Sequence, residues 1–238
     1  QLVIDKGQTV PFEMLPDRAI ALDGYVQGPH IDAVRRRFSF DHHAGCIRHA
    51  TLSTCEMTLD ALRVGFMPSD LTIYINDLDA DTVLSAWLLM RPSAAKSAAV
   101  AMAVRAAGRR DALGPAVGAE LAPALRWALA PMRSRTSELR ALDETAWRAI
   151  VEACCQRLDT WQSAGAPHSH AEFPSALEAQ TPIETLHDGG RWRLVLGDGV
   201  PAFEQLYNQG VFAGIIARRL ADDTWEFSVG KASEFVAG

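Results

Sequence analysis

The chain has 238 residues, 48% hydrophobic and 22% charged, with a net charge of −6 and a pI near 5.6. That is globular composition, and the length suits one large domain or two smaller ones. It weighs against long nucleic acid, whose phosphates ask for a basic face, because Arg35-Arg36-Arg37 is the one short basic run. The four cysteines, Cys46, Cys55, Cys154 and Cys155, make no disulfide framework, and a bridge between the adjacent pair would be strained. No run reaches the ~20 apolar residues of a membrane span. The first residues lack a basic segment followed by an apolar one, so the expected setting is the reducing cytoplasm.

In chain order, Arg18 to Val26 is an apolar run that ends at Asp23-Gly24, as a buried strand entering a loop would. Arg37 to Phe40 is a second strand, running into Asp41-His42-His43-Ala44-Gly45. Ser53-Thr54-Cys55-Glu56 has the pattern of a capping box and predicts a helix from about Thr54 to Val64, stopped by Gly65. Leu71 to Ile75 is a third strand, broken by Asn76-Asp77-Leu78-Asp79-Ala80-Asp81, with a helix over 82–90. Ala94–Ala107 predicts another helix closed by Gly108, and Asp111 to Pro115 a turn. From 116 to 162 the pattern is helical, with Asp143 as an N-cap. Residues 165–174 read as a linker. Beyond it come strands over 192–196, 211–220 and 225–229, a helix over 200–208, and a hairpin turn at Asp188-Gly189-Gly190-Arg191.

Three strands that end in polar residues, two of them feeding helices, predict an α/β fold. The sheet is open, mostly parallel and flanked by helices, with ligands beyond the carboxyl ends of its strands. The expected organisation is a catalytic domain over 1–115, a helical connector over 116–165 and a small α/β unit over 166–238.

Hard divalent cations take carboxylate oxygens, and imidazole adds affinity for Mn²⁺. Asp23, Asp41-His42-His43 and the Asp77, Asp79, Asp81 cluster supply such groups at three strand ends. Each also has a bland reading: Asp23 as a turn residue, Asp77 to Asp81 as solvated charge with an N-cap at Asp81. A zinc site from His42, His43, Cys46, His49 and Cys55 lacks the usual cysteine pair.

Asp41-His42-His43-Ala44-Gly45 after an apolar strand resembles the motif that names the DHH phosphoesterases. Their motifs run His-x-Asn-Pro-Asp-x-Asp, a lone Asp, Asp-His-His, and a fourth Asp. Asp23 is similar to the lone Asp. Asp79-Ala80-Asp81, followed by Thr82-Val83-Leu84-Ser85, resembles the Asp-x-Asp loop, but here it comes after Asp-His-His and Ile75 stands where the motif has His. Either the motifs are permuted, or 77–81 is the fourth motif and the first is missing. The permuted order fits the strand–loop–helix pattern better.

The resemblance covers roughly 18–115. It implies Mn²⁺ or Mg²⁺, two ions, held by Asp23, His42, Asp77, Asp79 and Asp81. His43 and Arg48 would face the phosphate, and Asp41 would orient the His42 loop. It also implies hydrolysis of a small nucleotide or phosphorylated metabolite, or, in a degenerate member, binding without catalysis. No membrane partner is expected, and a homodimer is left open. The glycine-rich segment common in the family's second domain is absent.

Overall fold

The computed structural model describes residues 1–43, 45–47, 50–113, 123–132, 139, 141–164, 184–188, 193–198, 215–219 and 225–229. The chain forms two units, 1–112 with 120–168 and 113–119 with 169–238.

The first unit is built on a five-stranded sheet. Its strands are β1 (Leu2–Ile4), β2 (Ala19–Leu22), β3 (His30–Asp32), β4 (Arg37–Phe40) and β5 (Thr72–Ile75), in the order β1-β5-β2-β4-β3. All neighbours are parallel except β3, which runs antiparallel on the β4 edge. The four parallel strands therefore end at one edge, where Asp5, Asp23, Asp41 and Asn76 follow them.

Side chains alternate across a strand, and β2 shows what that does at the centre of the sheet. Ile20 and Leu22 enter the main core with the helices, whereas Ala19 and Ala21 enter a smaller cluster with Leu15, Tyr25 and Val26. The second face is thus covered by the 5–17 segment, through Val10, Phe12 and Leu15.

Helix α1 (Thr54–Arg63) starts at the predicted capping box, with Ser53 Oγ accepting from Glu56 N. Beyond its end lies Gly65 at φ 99°, the left-handed conformation expected there. Helix α2 (Ala80–Met90) is buried along its whole length from Asp81 to Leu89. A 3-10 turn over Pro92–Lys96 occupies the start of the helix expected from Ala94.

Helix α3 (Ala98–Leu113) then runs through Gly108 and contains Asp111, so the expected stop and turn are corrected. Gly108 is there for contact. A Cβ on it would collide with Ser53 Oγ and lie 2.6 Å from Glu56 Cγ, so the glycine lets α3 lie against the start of α1.

Helices α4 (Pro123–Ala128) and α5 (Glu144–Ala164) carry the stretch expected to connect domains. They belong to the first unit, since Leu125 and Ala128 of α4 and Trp147, Val151 and Leu158 of α5 are fully buried in the main core. Asp143 caps α5 through Ala146 N, as predicted. Trp87 of α2 donates to Asp159 of α5 at 2.9 Å.

The second unit contains β6 (Glu184–Asp188), β7 (Arg193–Asp198), β8 (Ile215–Arg219) and β9 (Trp225–Val229), in that spatial order. Pairing is antiparallel at both edges and parallel between β7 and β8. The linker over 165–174, the helix over 200–208 and the turn at 189–191 lie outside the described residues. Strands β1, β3 and β6 were not predicted. Among the described residues no helix is long and apolar enough to cross a membrane.

Candidate metal centre

Three parallel strand ends and three helices, α1, α2 and α3, build the site. Asp23 follows β2 in a left-handed turn, at φ 52°, with its carboxyl buried. A non-glycine residue is held there only when its surroundings demand it. Here Tyr25 N bonds back to Leu22 O, and Asp23 N to Phe40 O. Asp41 and His42 follow β4 and are fully buried, while His43 has a side chain 40% exposed. Beyond β5, Asp79 is the N-cap of α2, its Oδ1 accepting from Thr82 N at 2.8 Å. Asp81 lies in the first turn of α2 and caps α1 instead, accepting from Thr54 N at 2.8 Å and Cys55 N at 2.6 Å.

These groups meet at His42. Its Nε2 lies 2.9 Å from Asp111 Oδ2, 3.4 Å from Asp81 Oδ2 and 3.6 Å from Asp23 Oδ1. Yet neither ring nitrogen of this buried imidazole makes an in-line hydrogen bond. Two trios, Asp23-His42-His43 and His42-Asp81-Asp111, each bring their ligand atoms within 4.8 Å of one another. In the first, His43 Nδ1 is already engaged 2.7 Å from Asp41 Oδ1, with His43 N on the same oxygen and Gly28 N on Asp41 Oδ2. Asp41 therefore orients the His43 ring and, through His43 N, holds the turn that carries His42.

The charges are in conflict without a counter-ion. Burial, and then the charges of Asp79, Asp81 and Asp111, hold Asp23 well above the usual carboxylate range. Burial, and then Asp111 and Asp81, push Asp79 up to about 6. Burial alone would lower His42, but Asp111 and Asp81 beside it outweigh that and raise it to about 9. Burial would raise Asp81, yet the His42 imidazole beside it and the hydrogen bond from Cys55 pull it below its ordinary value. Asp41 is also lowered, because His43 and Gly28 outweigh its burial. A divalent cation relieves this repulsion, and a set of carboxylates with one imidazole suits a hard or borderline ion.

The structure thus brings together Asp23, His42 and Asp81 of the predicted ligands. Asp79 belongs to neither trio, though its charge reaches Asp23. Asp77 also belongs to neither trio; it is half-buried, and its Oδ1 accepts from Leu78 N. Arg48 lies outside the described residues, as do Ala44 and His49. The cysteines of the zinc alternative take no part in the trios: Cys55 Sγ donates to Val104 O, and burial holds its thiol up.

Asp111 was read as a turn residue and proves to be a central member. The signal was present, because Asp111 falls two and three helical turns after Val104 and Val100, both buried, once the helix is not stopped at Gly108. Thr54 and Thr82 were missed as well: their hydroxyls donate to Asp23 Oδ1 and Oδ2, each at 2.9 Å. Compared with known proteins, the chain matches no family model, no curated protein and no solved structure.

Proposed function

We propose that this centre holds divalent cations, Mn²⁺ or Mg²⁺, and that the chain hydrolyses a phosphate ester or diester of a small nucleotide or phosphorylated metabolite, in the manner of the DHH phosphoesterases that its motifs resemble. The observation that carries this reading is the convergence of Asp23, Asp81 and Asp111 on His42, whose buried ring lacks an in-line hydrogen bond.

Asp23, His42, Asp81 and Asp111 would hold the metal, with Asp79 next to them. When bound, such ions supply an acidified water and polarise a phosphoryl oxygen. The chain's own residues do the rest. Asp41 fixes the His43 ring through Nδ1, which leaves Nε2 to meet a phosphoryl oxygen. The partial exposure of His43 suits that contact, while buried Asp23, His42 and Asp81 keep bulk water from the ligand side. The acidic net charge favours a small substrate that brings its own cation over a long polyanion.

The test is hydrolysis of bis-p-nitrophenyl phosphate with Mn²⁺, with the Asp111→Asn protein as control and bound metal measured on the purified chain. Expected are Mn²⁺ binding, chelator-sensitive turnover, and loss of both in the variant. Metal bound without turnover on any phosphoester class would favour the alternative, a member that binds a nucleotide or protein without catalysis. Fully buried Ile75, at the place of the motif's His, is the observation on that side. No divalent metal bound and no turnover would overturn the proposal.

A further inference from the structure

Two threonines open two different helices at the same point. Thr54 is the first residue of α1 and Thr82 lies in the first turn of α2. Each donates to two carboxylates. Thr54 gives its N–H to Asp81 Oδ2 at 2.8 Å and its hydroxyl to Asp23 Oδ1 at 2.9 Å, with Phe40 O a second acceptor at 3.2 Å. Thr82 gives its N–H to Asp79 Oδ1 at 2.8 Å and its hydroxyl to Asp23 Oδ2 at 2.9 Å. Both threonines are fully buried.

The two backbone contacts are ordinary helix capping, and any residue would provide them. The hydroxyl contacts are different. Asp23 is a short side chain on a left-handed turn, and its two carboxylate oxygens accept hydrogen bonds from these two hydroxyls. Each oxygen is held by a different helix, so rotation about the side chain breaks at least one bond. The same two residues hold Asp79 and Asp81 by their N–H groups. The mutual spacing of the three carboxylates is therefore set by two threonines.

We propose that Thr54 and Thr82 are positioning residues for the metal, fixing the Asp23 carboxylate in its ligand orientation through their hydroxyls. This rests on the metal reading of the site given above. Groups that orient a metal's ligands typically contribute 10–100-fold to affinity when removed. Valine keeps the shape and the backbone N–H of threonine and removes only the hydroxyl, so the caps on Asp79 and Asp81 survive.

The experiment is Mn²⁺ titration of the full chain by electron paramagnetic resonance, with thermal unfolding of the metal-free protein alongside. Proteins compared are wild type, Thr54→Val, Thr82→Val, the double variant and the matching serine variants. Expected is a loss of affinity of roughly 10–100-fold in the double valine variant, with serine restoring most of it; the metal-free valine variants stay folded but melt lower than wild type, because buried Asp23 loses its hydroxyl donors. Unchanged Mn²⁺ affinity in a folded double variant overturns the inference. Failure of both single valine variants to fold also overturns it, because the hydroxyls would then serve the fold. A wild-type chain that takes up no divalent ion fails at the metal reading itself, and is distinguished by the control.

Discussion

Replacing Gly108 by alanine tests the packing that delivers Asp111 to His42. Alanine in place of glycine inside an exposed helix gains ~1 kcal/mol, so propensity alone says the variant is more stable. The structure says the opposite. The added Cβ would collide with Ser53 Oγ and lie 2.6 Å from Glu56 Cγ and 2.9 Å from Glu56 Cδ. Neither neighbour yields easily: Ser53 is the buried cap of α1, and Glu56 is buried in its first turn. Overpacking of this kind costs ~1–3 kcal/mol. Set against the propensity gain, Gly108→Ala should destabilise by up to ~2 kcal/mol. For a chain of this size that lowers the melting temperature by up to about 8 °C. Relief comes by moving α3 away from α1, and Asp111 rides on the same helix, so Mn²⁺ affinity should fall too. Circular dichroism melts and Mn²⁺ titration measure both. Truncating Glu56 to alanine removes two of the three obstructing atoms, so Gly108→Ala should cost less in that background. A Gly108→Ala protein that melts higher than wild type would refute the reasoning.

Three other outcomes are expected. Without metal, stability should fall as pH rises from about 4 to 9: the raised pKa values of Asp23, Asp79 (to about 6) and His42 (to about 9) mean that their contributions are present when protonated and lost as pH climbs from the ordinary values through the raised ones. Asp41 and Asp81, whose values are lowered, lose theirs only in acid. Mn²⁺ should accordingly raise the melting temperature more at pH 8 than at pH 5.5, and a larger effect in acid would contradict the electrostatic account. Asp41→Asn should weaken hydrolysis by roughly 10–100-fold and Mn²⁺ affinity less, because it loosens the His43 ring while His42, Asp81 and Asp111 remain; kinetics beside a metal titration separate the two. Asp81→Ala should lose metal and cost ~1–3 kcal/mol for each of the two buried N–H groups it strips. Asp77→Ala should leave Mn²⁺ affinity nearer wild type, since Asp77 belongs to neither trio. Equal effects at the two positions, by denaturant melts and titration, would reject the assignment of Asp81 over Asp77.

Strands β2 and β5 were legible in the sequence as apolar runs with a polar stop and β4 as Phe38 and Phe40 leading into Asp41, helix α1 from its capping box, and α2 from its apolar run after the acidic loop, although its cap is Asp79 and not Asp81. Asp23, His42 and Asp81 follow from those strand ends. What was hidden has a physical reason in each case. Leu2–Ile4 and His30–Asp32 are too short to show a period, and the second is a polar edge strand. Gly108 reads locally as a helix stop, yet its role is set by Ser53 and Glu56, far away in the chain. Asp111 was lost with it. Thr54 and Thr82 look like ordinary helix-start residues, and only the sheet order makes them neighbours of Asp23. The helices α4 and α5 were taken for a connector because their apolar stripes do not say which core they fill.

Strand β5 lies between β1 and β2, although it comes after both in the chain. During synthesis, then, the sheet has a gap. Leu2–Ile4 has no neighbour in it, and β2 has one bare edge, until residues 72–75 emerge and insert between them. The first half of the cluster, Asp23 and Asp41 to His43, leaves the ribosome well before the strand and helix that bring Asp79 and Asp81. A nascent chain that stops short of β5 presents an open strand edge, which is a template for pairing with other chains. The sheet is thus closed by one late event, the site only when α3 then brings Asp111, and a fragment ending before residue 72 should pair with copies of itself rather than bind an ion.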